Sequence, residues 1–97
     1  MLVRGVLEKR SADGSWRARA FELTEKELVY MEQKAGKKSL KRACIPSIHL
    51  GSVALRTDGV LIVYEVGGAY AHYVRSCEQL EHEKMPTIQE WELALRR

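Results

Sequence analysis

The segment Trp16-Arg17-Ala18-Arg19-Ala20-Phe21-Glu22-Leu23 sets two guanidinium groups two residues apart, and Phe21 and Leu23 follow at the same spacing. In a β-strand this spacing puts all four side chains on one face. Phe21 and Leu23 are candidate core residues, so Arg17 and Arg19 continue the inward face out to the rim of the sheet. The preceding run aligns Gly5, Leu7 and Lys9 by the same alternation, and the turn Ser11-Ala12-Asp13-Gly14-Ser15 brings Lys9 toward Arg17. Three cations crowded at one mouth repel one another unless an anion is expected among them. Arginine offers a planar fork suited to phosphate oxygens, and lysine adds a point charge beside it. The chemistry this pattern predicts is anion binding. The bland alternative is that Arg17 and Arg19 are tied to neighbouring acids such as Glu8 or Glu22.

The elements that must hold these residues follow from a rhythm of short β-like runs broken by turn residues. Strands are predicted over Leu2–Lys9, Trp16–Thr24, Glu27–Lys34, Leu40–Ile45, Gly51–Thr57, Val60–Val66 and Tyr70–Ser76. Asp13-Gly14, Glu25-Lys26, Ala35-Gly36-Lys37-Lys38, Asp58-Gly59 and Gly67-Gly68 supply the turns, and Pro46 ends the fourth run because it cannot donate to a ladder. Near the C-terminus the period changes. Thr87 and Glu90 form a capping-box signature, and Ile88, Trp91 and Leu95 fall on one helical face. Arg96 and Arg97 close that helix, where positive charge suits the dipole. Residues 77–85 are polar and read as a loop or a helical turn. Seven short strands and one amphipathic helix predict a mainly β fold, a bent antiparallel barrel or sandwich with the helix plugging one end through Trp91. The other end is left for a ligand.

Composition narrows the function classes. The 97 residues suffice for one domain, and 45% apolar with 30% charged residues is an ordinary globular balance. The longest apolar stretch, Val60–Tyr64, is far short of the roughly 20 residues that span a bilayer. The N-terminus lacks the layout of a secretory signal. Two cysteines, Cys44 and Cys77, argue against a disulfide framework, and a cytoplasmic location is expected. The formal charge of +3 is unevenly placed: residues 1–42 carry eleven bases and six acids, a net of +5, whereas residues 43–97 carry five bases and seven acids. Such asymmetry hints at an anionic partner for the first part (nucleic acid, lipid headgroups or an acidic protein), and the bland alternative is a solvated surface with a chance excess.

Taken in order, four motifs resemble the pleckstrin homology (PH) family. Val3-Arg4-Gly5-Val6-Leu7-Glu8-Lys9-Arg10 is similar to its first strand and Trp16–Leu23 to its second. Leu28-Val29-Tyr30 is similar to its third, and Trp91 to the tryptophan of its C-terminal helix. The resemblance spans nearly the whole chain and implies a single PH domain over residues 1–97, a monomer in isolation, cut from a larger signalling protein. It implies no cofactor. It also implies a ligand, the phosphoinositide headgroups of the cytosolic leaflet, with peripheral membrane recruitment. Lys9, Arg17 and Arg19 stand at the family's phosphate-gripping positions, and Trp-Arg-Ala-Arg-Ala-Phe is similar to the protein kinase B type. Tyr30 matches a third-strand tyrosine that bonds a phosphate in some members, and Lys38, Lys41 and Arg42 occupy the region of a supporting fourth-strand base. Arg10 is turned outward, toward headgroups. Two features depart from the strong binders: the Gly67-Gly68 connection is short, and the segment before the helix carries Glu78, Glu81 and Glu83.

The remaining residue types suggest no catalysis. His49, His72 and His82 are far apart and lack partners at metal-ligand spacing, and neither a nucleophile with its base nor a phosphate-cradling glycine loop is present. Nucleic acid is not expected as a partner, because the bases form no helix face and lack stacking aromatics. The alternative to lipid docking is a PH-fold module that binds a protein partner.

Overall fold

Short apolar runs separated by turn residues build the strands expected from the sequence, with strict alternation of burial only in part of them. The computed structural model describes residues 3–11, 13–33, 40–68, 70–77 and 86–96, with backbone only at 32, 33 and 40. Its elements are β1 (Val3–Arg10), β2 (Trp16–Leu23), β3 (Glu27–Gln33), β4 (Leu40–Pro46), β5 (Leu50–Leu55), β6 (Leu61–Glu65), β7 (Ala71–Ser76) and α1 (Ile88–Leu95). The strands form one antiparallel sheet in the order β4-β3-β2-β1-β7-β6-β5. Seven antiparallel strands and one C-terminal helix are therefore present, but the sheet does not close. β4 and β5 are its two edges.

A single 3₁₀ turn over Ser47–His49, which the sequence pattern does not announce, links the two edges. Ser47 N donates to Lys26 O at 2.7 Å, and Val66 N donates to His49 O at 2.8 Å. Those bonds tie the β4–β5 corner both to the β2–β3 turn and to the β6–β7 turn. β4 runs on through Pro46, which pairs with Glu27 at the end of the ladder, and β6 is shorter than the run predicted for it. The turns take up both ends: Arg56 N bonds Val60 O at 2.8 Å before the strand, and Gly68 N bonds Glu65 O at 2.9 Å after it.

The core lies on the concave face. Leu7, Phe21, Leu23 and Leu28 meet Leu61 and Val63 there, and α1 closes one end. Thr87 caps the helix: its hydroxyl accepts from Glu90 N at 3.1 Å, while Glu90 Oε1 accepts from Thr87 N at 3.3 Å, completing the capping box. Trp91 is 1% exposed, and its ring meets Phe21 edge-on at 6.3 Å. Its Nε1 is buried with no hydrogen-bond partner among the described residues, a cost of about 1–3 kcal/mol that packing of the large ring must exceed. Arg96 is the C-cap of the helix and bonds Glu92 at 2.9 Å. The 35–38 loop and residues 78–85 lie outside the described residues.

Candidate anion-binding site

The β1–β2 hairpin sets the register of the basic residues. Lys9 lies directly opposite Arg17, and Arg19 opposite Leu7. Side chains so opposed start about 5 Å apart at Cβ. Lys9 is also paired with Val74 of β7. Arg17 and Arg19 share the parity of the buried Phe21 and Leu23, so the pair stands on the concave side at the end opposite α1. The β2–β3 ladder joins only Phe21–Leu23 to Leu28–Tyr30. Among the described residues, Trp16–Ala20 is therefore held by β1 alone, and both arginines stand on an open flank.

The turn that positions Lys9 against Arg17 is built by its own side chains. Asp13 Oδ1 accepts from the Ser11 hydroxyl, from Ser15 N at 2.9 Å and from the Ser15 hydroxyl at 2.6 Å. Gly14 takes φ +87°, the positive angle that the Asp-Gly pair predicts. The serine hydroxyl bonds, with Arg17 adding a smaller electrostatic effect, hold the Asp13 carboxyl well below the usual carboxylate range. Its other oxygen lies 3.9 Å from Arg17 Nη2, and the Arg17 side chain remains 52% exposed. The acid beside Arg17 is thus Asp13, not Glu8 or Glu22. Those two belong to the opposite face by alternation, and Glu8 is taken by Arg75 at 2.9 Å.

The other candidates divide by face. Lys9 Nζ sits 5.3 Å from the centre of the Tyr30 ring, a cation–π distance. Tyr30 is 7% exposed and stacks on Phe21 at 5.3 Å, so it is a core residue whose ring supports Lys9. Arg19 is half-buried and donates from Nη1 to Ala18 O at 2.7 Å, folding its guanidinium back along β2. Lys41 shares the parity of Ala43 and Ile45 on β4 and is exposed, two strands away from β2. Lys38 lies outside the described residues. Arg42 faces the other way and bonds Glu27 at 2.9 Å, a contact that raises its pKa. Arg10 is on the convex face as expected, 5.9 Å from the Tyr73 ring.

Two features escape sequence reasoning. His72 pairs with Glu65 at 2.8 Å and tilts against the Tyr30 ring at 6.1 Å, which puts a carboxylate–imidazole pair near the site. Seven residues separate the two in sequence, and only the β6–β7 ladder joins them. The Asp13 clasp was more accessible, since Ser-x-Asp-Gly-Ser is a side-chain-capped turn pattern. Beneath the rim, Lys9, Tyr30 and His72 border a small cavity that also touches Phe21 and Trp91. It has about 10 Å³ for the centre of a water-sized sphere, at the lower limit for one water molecule. A ligand as large as a phosphate sugar must therefore sit on the rim, outside the core.

Among the described residues, no three His, Cys, Asp or Glu side chains gather as a metal site, and no helix is long and apolar enough to cross a membrane. No family model matches the chain, and no curated protein matches it.

Proposed function

We propose that this chain is a PH-type module that docks reversibly on membranes by gripping phosphoinositide headgroups at the β1–β2 rim. The observation that carries the reading is the pairing of Lys9 with Arg17 on the concave face at the end left open by the helix. Two cations opposed at this distance are mutually repulsive, and a phosphate between them reverses the sign of that interaction. Lys9 and Arg17 are the principal ligands. Arg19 joins by releasing the Ala18 carbonyl and turning outward, a rotamer change common at interfaces. Lys41 widens the positive field from β4, and Tyr30 keeps Lys9 in place. Asp13 competes with the ligand for Arg17, which sets the affinity below that of an unopposed basic pair. No reaction is assigned to the domain.

The test is co-sedimentation with phosphatidylcholine vesicles, with and without each phosphorylated phosphatidylinositol, for the parent chain and an Arg17→Ala/Arg19→Ala variant. Charge-assisted hydrogen bonds contribute about 1.5–3 kcal/mol each, so the variant should lose at least about tenfold in affinity per arginine. Equal, salt-labile binding of both forms to every anionic vesicle would overturn the specific rim site. Binding to no vesicle would favour the protein-partner reading.

A further inference from the structure

The mouth of the sheet carries one titratable pair that the rim reading does not use. His72 lies on β7 opposite Val63 and two residues from the buried Val74, so its ring shares the concave face. Glu65 extends the same face of β6 two residues beyond Val63, and its Oε2 lies 2.8 Å from His72 Nε2. Both side chains are largely shielded, at 17% and 25% exposure. Backbone bonds hold the pair in place. His72 is fixed in the β6–β7 ladder, and Glu65 N donates to Tyr70 O at 3.0 Å while Glu65 O accepts from Gly68 N at 2.9 Å.

The Tyr30 ring connects this pair to the rim. His72 tilts against that ring at 6.1 Å, and Lys9 Nζ stands 5.3 Å from its centre. Lys9, Tyr30 and His72 border one small cavity. Among the described residues, the titratable groups that these contacts bring to His72 are Glu65 from β6, Lys9 from β1 and Tyr30 from β3, and Tyr70 shares its parity at the end of β7. Arg17 opposite Lys9, Arg19 farther along β2 and Asp13 beside Arg17 complete the charges of this end.

Charge counting gives the consequence. With a neutral imidazole, the pair places the single negative charge of Glu65 at the mouth. With an imidazolium the pair is neutral, and the mouth becomes one charge more positive. Imidazole is the side chain whose ordinary titration falls between pH 5 and 8. An anion held by Lys9 and Arg17 favours the added proton, and by linkage the proton favours the anion to the same degree.

We infer that Glu65 and His72 make anion binding at the rim pH-dependent, weaker with a neutral imidazole and tighter once His72 is protonated. The inference rests on the rim reading above and adds a condition to it: the headgroup is held best at mildly acidic pH. Lys9 and Arg17 remain the groups that touch the anion. His72 and Glu65 are positioning residues, which act through their net charge and through the Tyr30 ring that His72 shares with Lys9.

The experiment measures co-sedimentation with phosphatidylcholine vesicles carrying a phosphatidylinositol bisphosphate, from about pH 8 to about pH 5.5 at constant salt. The headgroup phosphates titrate in the same range, so the readout is the ratio of parent to variant affinity at each pH, from which the ligand's own titration cancels. His72→Gln keeps a donor for Glu65 and cannot titrate, and Glu65→Gln removes the carboxylate. Thermal melting at each pH verifies both folds, and if either variant fails to fold the other decides. The ratio of parent to His72→Gln should rise about fivefold as pH falls, and Glu65→Gln should bind tighter than the parent at about pH 8 by a similar factor. A purely structural pair would not produce that gain. A flat ratio for His72→Gln, or weaker binding by Glu65→Gln, overturns the inference while leaving the rim site standing. Failure of the parent chain to bind these vesicles at any pH overturns the rim reading and this inference with it.

Discussion

The two ends of this sheet are treated in opposite ways. At one end α1 drives Trp91 into the core against Phe21, and Ile88 and Leu95 are buried beside it. At the other end, cations line the same concave surface, with only a small cavity beneath them. The convex face offers a further contrast. There Arg75 bonds Glu8 at 2.9 Å and lies 4.2 Å over the Trp16 ring, and Arg42 bonds Glu27 at 2.9 Å. Among the described residues, the carboxylate nearest to Arg17 on the rim is Asp13, 3.9 Å away through Oδ2, while its Oδ1 accepts three hydrogen bonds. Among the described residues, Arg19 has only its neighbour's carbonyl. Among the described residues, Trp91 and its neighbours pack the helix end, and Arg17 and Arg19 at the rim hold no carboxylate as closely as the convex-face arginines do.

Four variants test that division. Trp91→Ala carries the largest expected effect, a loss of about 3–5 kcal/mol in denaturant unfolding from the cavity it leaves; a loss under about 1 kcal/mol would mean that the helix does not anchor the core. Arg17→Ala/Arg19→Ala is its mirror image. Unfolding free energy should stay within about 0.5 kcal/mol of the parent while lipid binding falls, because neither arginine holds a carboxylate at close range. A clear destabilisation would instead make the rim structural. Thr87→Ala removes the helix cap and should cost about 1 kcal/mol in stability without altering lipid binding, which checks that the two ends are uncoupled.

The smallest effect is expected at Asp13. Its pKa is lowered in the fold, so it contributes stability that is present above its ordinary value of 3.8 and lost as pH falls from there through the depressed folded value. Asp13→Asn should therefore lower stability slightly near neutrality, where the ionised carboxylate contributes, and flatten the further loss of stability below about pH 4. The same substitution removes the carboxylate competing for Arg17, so binding to phosphoinositide vesicles should strengthen by a few fold, measured at constant salt. Weaker binding would mean that the clasp positions Arg17 rather than competing for it.

Much of this arrangement was legible in the sequence because it depends on short-range periodicity. The spacing of Arg17, Arg19, Phe21 and Leu23 assigns a face, Asp13-Gly14 assigns the hairpin, and Thr87 with Glu90 assigns the start of the helix. The Lys9–Arg17 pairing follows from those local facts, since one hairpin carries both residues. Lys41 was separable from Arg42 only once the burial of Ala43 and Ile45 fixed the parity of β4. The role of Tyr30 was open in the sequence for a related reason. A tyrosine at the end of a strand fits either a rim or a core, and its stacking on Phe21 decides between them.

What the sequence determined by itself was the set of elements, the faces of its strands and the concentration of positive charge in the first four of them. Those properties depend on neighbours two to four residues apart, within reach of backbone geometry and turn chemistry. Tertiary structure alone decided that the sheet stays open between β4 and β5, and that Glu8 serves Arg75 across 67 positions of sequence. It also decided that the β6–β7 turn is tied to the β4–β5 corner through Val66 N and His49 O. Each of these depends on segments far apart in sequence meeting in the folded sheet, and such pairing is set by the packing of the whole core rather than by any local pattern.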